Sequence, residues 1–148
     1  MMTMTTGTTQ RFRSAVEKGD QAALEELFTE DVRLFSPVKF TPFEGRPAVL
    51  ALFGVLMRTF EDFRYVGHFE GEASTSAEED QEASEILLFR ATVNGKAIHG
   101  IDLLQFGQDG RIKEFTVMVR PMSAVQALGE AVLQGLAADG LVPDGSAH

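Results

Sequence analysis

The sequence predicts an α+β domain in which helices come first and a curved antiparallel sheet then wraps around them. Three observations carry that reading. Apolar residues recur at helical spacing through the first sixty positions, broken by one short alternating stretch. From "DFRYVGHF" (62–69) onward the period becomes two. Two turn signals, Asn94-Gly95 and "GQDG" at 107–110, then separate strand-like runs. A curved sheet around one long helix would enclose a cavity.

Each element has a local reason. Residues 1–9, "MMTMTTGTT", are Thr-rich and expected to be flexible. A single domain is expected over 10–138. Its first helix, Gln10 to Lys18, places Phe12, Ala15 and Val16 on one face. Gly19 ends it and Asp20 caps a second helix, Gln21 to Thr29, with Leu24, Leu27 and Phe28 in a stripe. "DVRLFSPV" reads as a short strand broken at Pro37. Pro47 suits the first turn of a third helix carrying Val49, Leu52, Phe53, Leu56 and Phe60.

"EGEASTSAEEDQEAS" reads as a polar loop or strand edge between the strands "DFRYVGHF" and "EILLFRATV". "KAIHGIDLLQF" and "RIKEFTVMVR" complete the sheet. Pro121 stops the last strand, and Ser123 is placed to cap a final helix with Val125, Leu128 and Val132. The tail 139–148, "DGLVPDGSAH", is expected to be flexible.

Composition narrows the function. The chain has 148 residues, 44% of them hydrophobic, enough for one domain with a real core. Its net charge of −9 repels nucleic-acid phosphates and anionic membranes, so neither is an expected partner. Without cysteine there is no disulfide, thiolate nucleophile or Cys-based zinc site. No secretory signal and no membrane-spanning apolar run is visible, which makes a cytoplasmic location the expectation.

Side-chain parity sorts the strands into two faces. Leu87, Phe89, Ala91 and Val93 share one face with Ile98, Gly100, Asp102, Leu104 and Phe106, and with Phe115, Val117 and Val119. This set is the more apolar and should face the helices. The opposite parity holds Ile86, Leu88, Ile101, Leu103 and Met118, an apolar patch that predicts a homodimer through the outer sheet face. Asp102 is therefore a carboxylate on an apolar, inward face. Burial should raise its pKa, and an unpaired charge there would cost several kcal/mol. It is either a general base, a neutral acid donating to a ligand oxygen, or a carboxyl held by a neighbour without chemistry.

The pattern "F..A...GD..AL..LF.EDV", then "SPV", "EGR.AV..L" and "GIDLLQF...GRI.EF" resembles the nuclear-transport-factor-2-like superfamily, specifically its SnoaL-like and ketosteroid-isomerase-like branch. The resemblance spans roughly Gln10 to Pro121. It implies a cone-shaped α+β fold with a deep pocket and, commonly, a homodimer. In ketosteroid isomerase an Asp base works with an oxyanion hole of Tyr and a protonated Asp. The resemblance puts that protonated Asp at Asp102. It puts Ser36 where the base would stand, and Phe12 and Phe53 where tyrosines would stand, so the standard steroid-isomerase mechanism is not expected. SnoaL-like cyclases resemble a simpler arrangement, in which one pocket Asp abstracts a proton.

Phe12, Ser36, Phe53, Phe89, Leu104, Phe115 and Val117 are the expected ligand-contacting residues around Asp102. A pocket so lined selects a small apolar molecule with one polar handle. The domain is then either a proton-transfer enzyme, an isomerase or cyclase, or a binding or dimeric interaction module without turnover. Tyr65 and His68 lie in a strand of uncertain parity, with roles left open, and His99 falls on the outer parity. Asp102, His99 and His68 make no metal set, and no Gly-rich phosphate loop is present. No cofactor or metal is expected.

Overall fold

The computed structural model describes residues 3–141, with side chains from 7 onward. Ten elements follow one another: α1 (Thr3–Lys18), α2 (Gln21–Leu27), β1 (Phe28–Phe35), β2 (Phe43–Glu44), α3 (Arg46–Thr59), β3 (Glu61–Ser74), β4 (Gln81–Val93), β5 (Lys96–Phe106), β6 (Ile112–Arg120) and α4 (Met122–Ala138). The six strands form one curved sheet in the order β2-β1-β6-β5-β4-β3. The α+β class and the β3-to-β6 meander are as expected. The sheet is mixed rather than purely antiparallel, because β1 runs parallel to β6, pairing Leu34 with Phe115. That pairing joins residues far apart in sequence, and no local signal encodes it. Among the described residues, no helix is long and apolar enough to cross a membrane.

Local chemistry explains most boundaries. Gly19 adopts φ 66° and ends α1, with Asp20 N–H donating to Ala15 O at 2.9 Å. Asp20 Oδ1 then accepts from Ala23 N at 3.1 Å, capping α2. Asn94 and Gly95 take φ 49° and 80°, the mirror-image turn that joins β4 to β5 without splaying them.

Four expectations are corrected or narrowed. First, α1 begins at Thr3 rather than at Gln10. Thr8 and Thr9 are buried, and Thr8 Oγ1 donates to Gly110 O at 2.7 Å, so a tertiary contact overrides poor local propensity. Second, α2 stops at Leu27 and β1 begins at Phe28, because Phe28 already pairs with Ile112. Third, of the two readings of the acidic stretch, loop or strand edge, the strand edge holds for most of it, since β3 is the last strand of the sheet. Glu70 to Ser74 pair with Glu85 to Gln81, leaving only 75–80 as the connection. Fourth, α4 has Pro121 as its N-cap with no side-chain cap, and Ser123 lies inside the first turn. Of the expected loose tail, residues 142–148 lie outside the described residues.

The core sits between the concave face of the sheet and the helices. Phe12, Phe28, Leu24, Leu52, Leu87, Phe89, Leu104 and Phe115 are almost fully buried there. The Phe12 ring meets Phe115 at 5.3 Å and Phe53 at 5.9 Å between centroids, which locks α1 and α3 to β6. A buried ionic knot fixes the far end. Glu114 on β6 accepts from Arg33 Nη2 of β1 at 2.7 Å, and from Ser76 Oγ at 2.7 Å and Ser76 N at 2.9 Å. Arg33 Nε adds a fourth donor at 3.1 Å, so this carboxylate is compensated inside the fold.

Candidate functional site

The parity of β5 decides which residues meet inside the sheet. Ile98, Gly100, Asp102, Leu104 and Phe106 all point to the buried side, while His99 is exposed on the other. The concave face and the helices enclose a cavity of about 610 Å3. Val16, Leu52, Phe53 and Leu56 close it from α1 and α3. Phe63, Tyr65, Phe89, Asp102, Phe115 and Val117 form its floor on the sheet. Leu128, Val132 and Leu136 of α4 form a third wall. The exposed Glu17 and Lys18 stand at its mouth.

An aromatic cluster shapes the floor. Phe63 stacks on Phe89 at 4.9 Å and meets Tyr65 edge-on at 5.0 Å, and Phe60 packs on Phe89 at 5.6 Å. Gly100 is directly across from Phe89 in the β4–β5 register. A Cβ there would overlap the Phe89 ring, so the tip of that ring takes the space over the glycine.

Asp102 is 6% exposed, and Tyr65 Oη donates to its Oδ2 at 3.1 Å. Tyr65 is the only tyrosine in the chain. It comes from β3, two strands away from β5, a gap of about 10 Å that the phenol and the carboxyl span together. No other hydrogen bond reaches Asp102 among the described residues. Burial pushes the Asp102 carboxyl up to about 7, and the Tyr65 hydrogen bond pulls it back only in part. Burial also holds the Tyr65 hydroxyl well above its ordinary value, and the neighbouring Asp102 adds to this. Tyr65 therefore stays protonated and remains a donor. The Arg13 guanidinium lies 5.4 Å from the centre of its ring and partly offsets that upward push. The result is a carboxyl near half-ionisation at neutral pH inside an apolar cavity, able to take or give a proton.

The expected site residues divide. Ser36, Phe53, Phe89, Asp102, Phe115 and Val117 lie on the cavity wall. Phe12 and Leu104 do not. Both are fully buried core residues, Phe12 within the Phe53–Phe115 cluster and Leu104 further along β5, paired with Phe115 and Glu85. The Ser36 hydroxyl also accepts from Val38 N at 3.4 Å, a turn contact just after β1. Tyr65 was left open by the sequence and proves to be the partner of Asp102. The available signal was the Phe63/Tyr65 alternation on one face, followed by a break in pairing between Tyr65 and Gly67 that parity counting cannot see. The α4 wall was legible only as an apolar stripe.

The raised value of Asp102 sets the sign of a pH effect. The folded state keeps a proton up to about pH 7, whereas an unfolded Asp loses it near pH 4. Between those values the folded chain binds more protons, so stability falls as pH rises, by about 4 kcal/mol in all. Asp102→Asn removes the ionisation and keeps an oxygen for Tyr65. Urea denaturation at pH 8 should find the variant more stable than the parent by roughly 2–4 kcal/mol, with the difference closing below pH 4. A variant less stable than the parent at pH 8 would show that the carboxylate is compensated after all.

The family profile described as a SnoaL-like domain matches residues 9–115. A crystal structure described as a steroid delta-isomerase from Pseudomonas aeruginosa is 34% identical, with a TM-score of 0.81 over 94% of this chain and 96% of that one. An uncharacterized protein with a cystatin-like fold from Silicibacter pomeroyi is 28% identical, with a TM-score of 0.78 over 90% of this chain and 87% of that one. An NTF2-like protein of unknown function from Mesorhizobium loti shares the fold at 22% identity and a TM-score of 0.63, over 80% of this chain and 92% of that one. Among curated proteins, none matches this chain significantly. With the profile matched from α1 to β6 and the isomerase aligned along almost the whole of both chains, this protein belongs to the SnoaL-like family, within the ketosteroid-isomerase-like part of the nuclear-transport-factor-2-like superfamily.

Proposed function

We propose that the cavity binds a small apolar carbonyl compound and that Asp102 moves a proton on it, as an isomerase or cyclase does. One observation carries the reading: a nearly buried carboxyl, pushed up to about 7, stands on an apolar cavity wall with a single partner, Tyr65. A carboxyl in this range suits general acid–base work at neutral pH. The ionised form takes a proton from the carbon next to the carbonyl, leaving the electron pair delocalised onto the carbonyl oxygen. The same carboxyl then returns the proton to the carbon skeleton at a conjugated position. Tyr65 holds Oδ2 throughout, so Oδ1 is the atom that exchanges the proton. The neighbour described as a steroid delta-isomerase supports proton transfer as the class of reaction. Ser36, Phe12 and Phe53 stand where the resemblance implies a second acid and two tyrosines, so one carboxyl does the work that two share in the steroid enzymes.

The alternative, a binding module without turnover, is separated from this reading by one experiment. Deuterium uptake at the α-carbon of apolar ketones, a Δ5-3-oxosteroid among them, is followed by NMR. The rate should rise with pH through about 7, because the ionised form is the base, and should fall at least 100-fold in Asp102→Asn. Exchange that survives in Asp102→Asn would place the base elsewhere. A ketone that shifts the Val117 and Phe63 resonances but never exchanges would establish binding alone.

We also propose that two copies pair through the convex face of the sheet. Ile86, Leu88, Ile101 and Leu103 are partly exposed there, and Phe69, opposite Ile86, is 60% exposed. Met118 is 54% exposed opposite Ile101. The last helix does not cover this face, since α4 lines the cavity on the concave side. His99 lies at the edge of the patch beside Arg90 and Arg120, with Arg120 Nη1 at 3.1 Å from its Nδ1. Partial desolvation and then these two cations hold its pKa below the usual histidine value. Protonation of His99 therefore needs more acid solution than an ordinary histidine does. Light scattering should give twice the 16.2 kDa chain mass, and Met118→Glu should give the single mass. A parent chain that stays monomeric at micromolar concentration would refute the pairing.

A further inference from the structure

β3 is not a regular strand. Its register with β4 slips between Tyr65 and Gly67, so Tyr65 faces Phe89, His68 faces Leu87 and Glu70 faces Glu85. In a regular strand, residues 65 and 68 would lie on opposite sides. The extra residue in the bulge turns both toward the concave side. One strand thus delivers Tyr65 to Asp102 and, further along, His68 and Glu70 to Glu85.

Glu85 is 1% exposed. Its Oε1 lies 2.7 Å from His68 Nε2, and its Oε2 is buried with no hydrogen-bond partner. One imidazole nitrogen and two carboxylate oxygens, from His68, Glu70 and Glu85, lie within 4.8 Å of one another. A buried carboxylate oxygen without a donor is costly, and an ion is among the few things that satisfy it. We infer that His68, Glu70 and Glu85 form a binding site for a divalent first-row transition-metal ion such as Zn2+. The set carries two negative charges and one neutral nitrogen, which a dication balances. The imidazole disfavours Mg2+ and Ca2+, and the lack of sulfur disfavours Cu(I). Bonds of about 2.0–2.2 Å around a tetrahedral ion set ligand atoms roughly 3.3 Å apart, so the 2.7 Å His68–Glu85 pair would open slightly while any wider separation, up to 4.8 Å, would close. The ion would replace the proton shared between His68 Nε2 and Glu85 Oε1 and release it to solvent. A fourth position remains for water.

This site is separate from the cavity. None of its three residues lies on the cavity wall. Leu87, fully buried, stands between His68 on β3 and Asp102 on β5 in the paired register, so Asp102 is not a ligand. An ion here would clamp β3 to β4 just beyond the bulge that positions Tyr65.

The test is calorimetric titration of ZnCl2 into chelator-stripped protein, with Co2+ visible spectra as a second readout. The expected result is one ion per chain, a rise of several degrees in melting temperature, and affinity weakened at least about 100-fold in His68→Ala and Glu85→Gln. Glu70→Gln changes an exposed side chain, leaves the fold intact, and should weaken binding at least about tenfold even if the buried variants fail to fold. His99→Ala, on the convex face, should bind as the parent does. No ion taken up, or uptake that Glu70→Gln leaves unchanged, would overturn the assignment.

Discussion

The site rests on one constraint: a carboxyl group is held out of water with a single hydrogen-bond donor. Tyr65 Oη satisfies one oxygen of Asp102, and burial denies the rest of its hydration. A charge so placed is destabilising, so the group rests near half-protonation at neutral pH rather than fully ionised. Glu114 shows the other outcome in the same fold. It is equally buried, yet Arg33 and Ser76 supply four donors to it, and it serves to tie β1, β6 and the 75–80 connection together. The contrast between these two carboxyls is one of hydrogen-bond supply: several donors at Glu114, one at Asp102.

Much of the surrounding architecture keeps Asp102 in that condition. Gly100 admits the tip of the Phe89 ring on the same cavity floor as Asp102, and Phe60, Phe63 and Tyr65 continue the aromatic surface. α4 closes the third side with Leu128, Val132 and Leu136. Each contact is ordinary core packing, and together they leave a cavity rather than filling the space. The polar group was therefore not placed in the core at random. It sits where the apolar layer stops short of closing.

The face of Asp102 was legible in the sequence because β5 runs from Lys96 to Phe106 as one unbroken strand, and parity counts correctly along it. α2 was legible through its Asp20 cap, α3 through Pro47 in its first turn, and both through their apolar periodicity. Tyr65 and His68 were not, because a bulge adds one residue and reverses the count. The parallel pairing of β1 with β6 was not, because it joins residues about eighty positions apart with no local signature. Phe12 and Leu104 were placed at the cavity because they share its face. The depth of a side chain along that face depends on what packs over it, and parity carries no such information.

Direct titration of the Asp102 side chain tests the account at its centre. With 13C-labelled aspartate, the Asp102 carboxyl resonance is followed from pH 3 to pH 9 and assigned by its loss in Asp102→Asn. The account predicts a midpoint near 7 that falls outside the range of the surface aspartates, and a further rise in Tyr65→Phe as the hydrogen bond to the charged form is lost. A midpoint near 4, unmoved by Tyr65→Phe, would mean that Asp102 is an ordinary solvated carboxylate and that the cavity holds no poised acid or base.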